Sequence, residues 1–316
     1  MEPATVRENC DAILDEIERA VIADRGVLRT ILVGLLADGH VLLEDVPGTG
    51  KTLTARSISD TLGLSFSRIQ FTPDLLPSDV TGANVFDEGT REFEFQPGPI
   101  FGNVVLADEI NRAPPKTQAA LLEAMGEGQV TIDGDTHRLP EPFVVIATQN
   151  PIEMDGTFEL PAAQKDRFMI KTSIGYPDLE GEIQLIDRRA DRRTKAPTVE
   201  QVCTPETVDL LRAAPERVAV ESTVRRYLVE VARETRQDRR VSAGVSPRGV
   251  QRFFEAVRTQ AAVRGRSYAT PDDVKAIAPK VLAHRLVLST DARVDRIDPE
   301  EIIDGILDTV RVPQLA

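Results

Sequence analysis

The sequence predicts an α/β domain built on a parallel sheet, followed by a smaller all-helical domain. Three observations carry this. Short apolar runs alternate with helical patterns through the first half, the order expected of strands joined by crossover helices. Several runs lack the in/out alternation of a sheet with one wet face, as they should when helices cover both. After Tyr176-Pro177 the strand signals fade and helical patterns take over, which places the division at 1–176 and 177–316.

The expected strands are Val41–Leu43, Phe66–Phe71, Val104–Ala107, Phe143–Ala147 and Phe168–Lys171. Ahead of them Ile13, Ile17, Ala20 and Val21 repeat on one helical stripe. In the second half helices are expected at Asp178–Arg189, Pro205–Ala213, Thr223–Thr235, Pro247–Arg264 and Pro271–Leu282. Thr270-Pro271-Asp272-Asp273 has a cap, then proline, then acids in the first turn, the order that starts a helix. Arg192–Pro197 and Gln237–Val245 read as exposed connectors.

At 316 residues the chain has room for two domains of roughly 150 residues each and a core that needs no disulfides. Two cysteines, Cys10 and Cys203, are too few for a four-ligand zinc site, and the three histidines add little. No stretch approaches the ~20 apolar residues of a membrane span. Met1–Cys10 has no apolar h-region, so a secretory leader is not expected and a cytoplasmic location is. Residues 1–172 hold 28 acidic and 14 basic side chains, against 23 and 24 in the remainder. An acidic first half repels a phosphate backbone and disfavours nonspecific nucleic-acid binding. Only 7 of the 38 basic residues are lysine, a balance that resembles proteins of salt-loving cells.

The strongest local signal is the strand Val41–Leu43 running through Glu44-Asp45-Val46-Pro47-Gly48-Thr49-Gly50 into Lys51-Thr52 and a helix with Leu53, Ile58 and Leu62. This is a phosphate-binding loop in its proper context: backbone N–H groups and the helix N-terminus cradle phosphates, Lys51 reaches the β/γ-phosphates and Thr52 holds magnesium. Asp45 stands where the G-x-x-x-x-G-K-[ST] pattern has its first glycine. A second apolar strand ends in Asp108-Glu109, the Walker B arrangement, with Asp108 expected to bind magnesium through water and Glu109 to polarise the attacking water. After a third strand, Asn150 could align that water, or simply form a turn before Pro151. Arg167 reads as an arginine finger for a neighbouring subunit or as the partner of Asp166. Arg248 opens a helix, where a cation opposes the dipole, so either a phosphate or a nearby carboxylate should face it. Arg112 suits an interface or a salt bridge, and His40, His137 and His284 read as structural. The pairs Arg188-Arg189, Arg192-Arg193, Arg225-Arg226 and Arg239-Arg240 read as solvated helix faces.

Together with Phe71–Gly82, Gln96-Pro-Gly-Pro-Ile-Phe101, Ala107–Gln118, Ala147–Pro151, Leu160–Phe168, Ser246-Pro-Arg248 and Leu282-Ala-His-Arg285, these residues resemble the MoxR family of AAA+ ATPases from about Val21 to Leu286. The resemblance implies a P-loop AAA+ core with a helical lid, assembling as a ring that is usually a hexamer. It implies ATP and magnesium as ligands, with Pro47, Gly48, Thr49, Gly50, Lys51, Thr52 and Leu53 around the phosphates and Val21 and Ile22 near the adenine. It places sensor 1 on Asn150, the arginine finger on Arg167 and sensor 2 on Arg248, acting on its own or a neighbour's nucleotide. It also implies two hairpins directed toward substrate, around Val85–Phe95 and at Gln129–Leu139 with its turn at Asp133-Gly134. The expected work is chaperone-like remodelling or maturation of partner proteins, with a von Willebrand factor A-domain protein as partner. A nucleic-acid-dependent motor and an ATP-controlled scaffold with little turnover are the alternatives.

Overall fold

The computed structural model describes residues 1–151, 156–192, 194 and 196–313; Arg193 of the arginine pairs lies outside these described residues. Two helices, α1 (Pro3–Ala20) and α2 (Arg25–Leu36), precede β1 (His40–Glu44), α3 (Lys51–Thr61) and β2 (Phe66–Gln70). A short α4 (Pro77–Thr81) leads into the hairpin β3 (Gly82–Asp87) and β4 (Glu92–Pro97). Then come β5 (Val104–Asp108), α5 (Pro115–Glu127), a second hairpin β6 (Gln129–Ile132) and β7 (Asp135–Arg138), β8 (Val144–Gln149), α6 (Ala162–Lys165) and β9 (Phe168–Thr172).

Five strands form one parallel sheet in the order β2-β5-β8-β1-β9. Successive side chains of a strand point to opposite faces, and here each face meets its own core. Val41 and Leu43, Val104 and Leu106, and Val144 and Ile146 enter the larger core, with α1, α2 and α3. Leu42, Val105, Ala107, Val145 and Ala147 enter the smaller one, with α5. Every residue of β5 and β8 is therefore buried, which accounts for their unbroken apolar runs.

The remainder is helical: α7 (Leu179–Asp191), α8 (Pro205–Ala213), α9 (Ser222–Glu234), α10 (Pro247–Val263), α11 (Pro271–Leu282), α12 (Thr290–Val294) and α13 (Pro299–Thr309). Two short strands, β10 (Val241–Ala243) and β11 (Val287–Leu288), pair antiparallel. The segment 237–245 is thus a connector only in part, because its middle is fixed by pairing with a strand more than forty residues on. The start of α11 is built as its sequence suggests: the Thr270 amide donates to the Asp273 carboxylate at 2.8 Å. Asp273 is fully buried and paired with Arg266. The stripe Ile13, Ile17 and Ala20 of α1 is buried in the same core as Ala256, Val257 and Val263 of α10, so the N-terminal helix touches both halves.

The two hairpins lean on each other. Phe95 stacks on His137 with ring centroids 3.9 Å apart, and the Asn84 amide donates to Asp133 at 2.9 Å. Asp133 and Gly134 both have positive φ, 51° and 98°, the geometry of a tight primed turn. Phe86 and Phe93 pair edge-to-face at the exposed tip of the first hairpin.

Candidate active site

The C-terminal ends of β1, β5 and β8 open onto a cleft of about 400 Å³ lined by Pro47, Gly48, Gly50, Lys51, Thr52, Leu53, Asp108, Glu109, Thr148, Gln149 and Asn150. Gly48 and Gly50 have φ of +87° and +86°, which an L side chain rarely adopts; this is the reason for glycine here. Gly50 caps α3, whose N–H groups point into the cleft and suit an anion. Lys51 Nζ donates to the carbonyls of Asp45 at 2.9 Å and Val46 at 2.6 Å, lying along the loop. Burial pulls its ammonium below the ordinary value, while Asp45, Asp108 and Glu109 hold it up. Thr49 is buried beside Val46, its hydroxyl donating to that carbonyl at 3.2 Å. Val21 is buried, and Ile22 packs near Gly181 at the start of α7.

Neither acid of the Asp108-Glu109 pair is loose. The Thr148 hydroxyl donates to Asp108 Oδ1 at 2.6 Å and accepts the Glu109 amide at 2.8 Å. Arg68 Nη2 donates to Asp108 Oδ2 at 2.6 Å. Glu109 Oε2 accepts from Gln70 at 2.9 Å and pairs with Arg112 at 3.0 Å, so Arg112 makes a salt bridge within its own chain. Glu109 itself has φ +56°, uncommon outside glycine, and this turns its side chain away from the strand direction. Asp108 and Thr52 supply oxygen donors, which fit a hard cation such as magnesium. Asn150 is buried at the cleft's edge. Thr148, Arg68 and Gln70 were not singled out in the sequence. For Arg68 and Gln70 the sequence holds one signal, their alternation about the buried Ile69 on β2; it becomes meaningful only through pairing with the acid-bearing strand, and Thr148 has no such signal.

Arg167 and Arg248 lie elsewhere. They line a separate recess of about 340 Å³, together with Asp38, Gly39, His40, Glu127, Glu141, Arg212 and Arg252. This recess is at the opposite end of the sheet: His40 begins β1 and faces Phe168, the first residue of β9. The length of β1, five residues or about 16 Å, lies between the recess at its first residue and the cleft beyond its last. Asp166 is not Arg167's partner, since it pairs with the buried Arg285 at 2.9 Å. Arg167 donates instead to the Leu122 carbonyl, crossing α5 where Gly126 leaves room; a Cβ there would lie 2.2 Å from Nη1. Among the described residues Arg248 has no carboxylate within salt-bridge distance.

His40 and His284 are buried in contacts with the backbone. His40 accepts from the Val145 amide at 3.0 Å through Nδ1, and its Nε2 meets the Met125 carbonyl at 3.1 Å. Burial pushes its pKa down to about 4. His284 is buried against the Phe168 carbonyl, and burial likewise pulls its pKa well down.

The family model for the ATPase family associated with various cellular activities (AAA) matches residues 40–170, and the AAA lid domain matches 233–306. The chain is 44% identical to Chaperone MoxR1 of Mycobacterium tuberculosis, over 95% of this chain and 81% of that protein. This chain belongs to the MoxR family of AAA+ ATPases. It is also 46% identical to the uncharacterized protein YeaC of Bacillus subtilis, over 95% of this chain and 93% of that one. The crystal structure of a protein from Cytophaga hutchinsonii, proposed to be an ATPase, superposes with a TM-score of 0.91 at 36% identity, covering 99% of this chain and 97% of that one. As a MoxR-family fold, the chain joins an AAA+ core, matched over 40–170, to a helical lid, matched over 233–306. Among the described residues no helix is long and apolar enough to cross a membrane.

Proposed function

We propose that this MoxR-family protein hydrolyses ATP at the cleft over the C-terminal ends of β1, β8 and β5, and that each site is completed by a second copy of the chain. The observation that carries this is the separation of the two functional groups. Lys51, Thr52, Asp108 and Glu109 line one end of the sheet, and Arg167 and Arg248 the other. Two arginines with no carboxylate partner among the described residues, facing away from their own phosphate loop, suit a neighbour's nucleotide. Both therefore act in trans, as arginine finger and sensor 2, and copies follow one another head to tail in a closed ring, a hexamer by family likeness.

In this reading Gly48–Leu53 bind the phosphates, Lys51 swings from the loop carbonyls to the β/γ-phosphates, and Thr52 and Asp108 hold magnesium. When bound, the metal neutralises charge on the phosphate oxygens. Glu109 orients the attacking water with Asn150, and Val21 and Ile22 pack near the base. The division near residue 176 lets the lid move with nucleotide state, and that motion reaches a client through the joined hairpins. The client class is a partner protein to be remodelled or matured, a von Willebrand factor A-domain protein by family likeness, in the cytoplasm. Phosphate release from ATP by the purified chain with magnesium tests hydrolysis, and Glu109→Gln should abolish it while ATP still binds. Turnover by Glu109→Gln equal to that of the parent would remove Glu109 from the mechanism.

A further inference from the structure

Asp45 occupies the position at which the generic phosphate-loop pattern has glycine, and the roles assigned above leave it without one. Its backbone has no unusual conformation, so glycine is not required there. Its amide continues the strand ladder, donating to the Gln149 carbonyl at 3.0 Å. Its carboxylate is buried and used on both oxygens. Oδ1 accepts from the Val46 amide at 3.1 Å, inside the loop. Oδ2 accepts from the amides of Ile174 at 2.7 Å and Gly175 at 2.9 Å. Those two residues lie between the last sheet strand and α7, where the chain leaves the core for the lid. Gly175 has φ +76°, a turn that glycine allows.

We infer that Asp45 is a positioning residue that ties the phosphate loop to the root of the lid. This rests on the reading of the cleft as an ATP site with a moving lid. One residue faces both partners. Lys51 holds the Asp45 carbonyl, and the Asp45 carboxylate holds the connector. When Lys51 leaves the carbonyls of Asp45 and Val46 for a phosphate, the peptide it released is the one that carries the carboxylate. A shift of that peptide is passed to Ile174 and Gly175 through charge-assisted hydrogen bonds in a buried setting. Glycine at 45 would keep the loop and lose the tie.

The test places spin labels at Glu123→Cys on α5 and Arg225→Cys on α9, both exposed positions, in the full chain. Cys10 and Cys203 are buried with their thiol pKa values pushed up, so they stay unlabelled. Label distances are measured without nucleotide, with magnesium-ADP, and with magnesium-ATP in the Glu109→Gln background. A nucleotide-dependent shift is expected with Asp45, loss of most of it in Asp45→Gly, and partial recovery in Asp45→Asn, whose carbonyl can accept from Ile174 and Gly175 while its NH2 group can no longer accept from Val46. Nucleotide affinity should stay within about threefold, because the loop glycines and Lys51 are intact. Should Asp45→Gly fail to fold, Asp45→Ser replaces it, as its hydroxyl is too short to reach both amides. A full shift in Asp45→Gly or Asp45→Ser overturns the tie and leaves the ATP-site reading standing. No shift in the Asp45 parent, with nucleotide bound, overturns the moving lid and the tie together. Absence of nucleotide binding in the parent overturns the reading of the cleft itself.

Discussion

Arg68 and Asp108 are joined across neighbouring strands: the guanidinium of one donates to a single carboxylate oxygen of the other through Nη2 at 2.6 Å and Nε at 3.2 Å. Asp108 is buried and Arg68 about half exposed, so the pair caps the acid from the sheet's edge. The acid expected to serve magnesium already has a cation on it.

Two positive groups that share one oxygen compete. Arg68→Gln should therefore lower the magnesium concentration needed for half-maximal ATP binding by several-fold, read by titrating the metal against a fluorescent ATP analogue. A higher requirement would mean that Arg68 orients Asp108 for the metal rather than opposing it.

Lys51 and Glu109 should fail differently. Lys51→Ala removes a phosphate contact and should weaken ATP binding more than tenfold. Glu109→Gln should leave binding within a few-fold and cut turnover by roughly 10²–10⁴, the usual worth of a general base. Equilibrium binding beside phosphate release separates the two.

His40 sets a pH dependence of stability. Burial takes its pKa from 6.5 to about 4, below the unfolded value, so between those limits the unfolded chain binds more protons. Stability is full above pH 6.5 and falls as pH drops toward 4, by about 3 kcal/mol from this group. His284 acts in the same direction. His40→Gln should flatten the fall in urea midpoint between pH 7 and 4.5 relative to the parent. Parallel curves would show that the imidazole does not charge on unfolding.

What the sequence made legible follows from physics that is local. The strands could be read because β5 and β8 are buried on both faces and stay apolar over Val104–Ala107 and 144–147. The phosphate loop could be read because Gly48 and Gly50 meet a backbone need that few residues satisfy. By contrast, β10 escaped notice since three residues bonded to Val287–Leu288 carry no periodicity of their own. α13 was missed although Ile302, Ile303 and Ile306 form a buried stripe. Arg68, Gln70 and Thr148 matter through strand register, and register between distant segments is not written in either segment alone. Asp45 was visible as a departure from a pattern, but its two amide partners lie 129 and 130 residues away.

If Arg167 works on a neighbour's nucleotide, two defective chains should complement each other. The most direct measurement mixes two inactive chains, Arg167→Ala and Glu109→Gln, at varied ratios and follows ATP turnover. In a mixed ring some cleft with Glu109 intact meets a neighbour with Arg167 intact. Turnover should be absent in either chain alone and greatest at intermediate ratios. Turnover by Arg167→Ala alone near the parental rate, or no recovery at any ratio when mixed rings form, would contradict that role for Arg167.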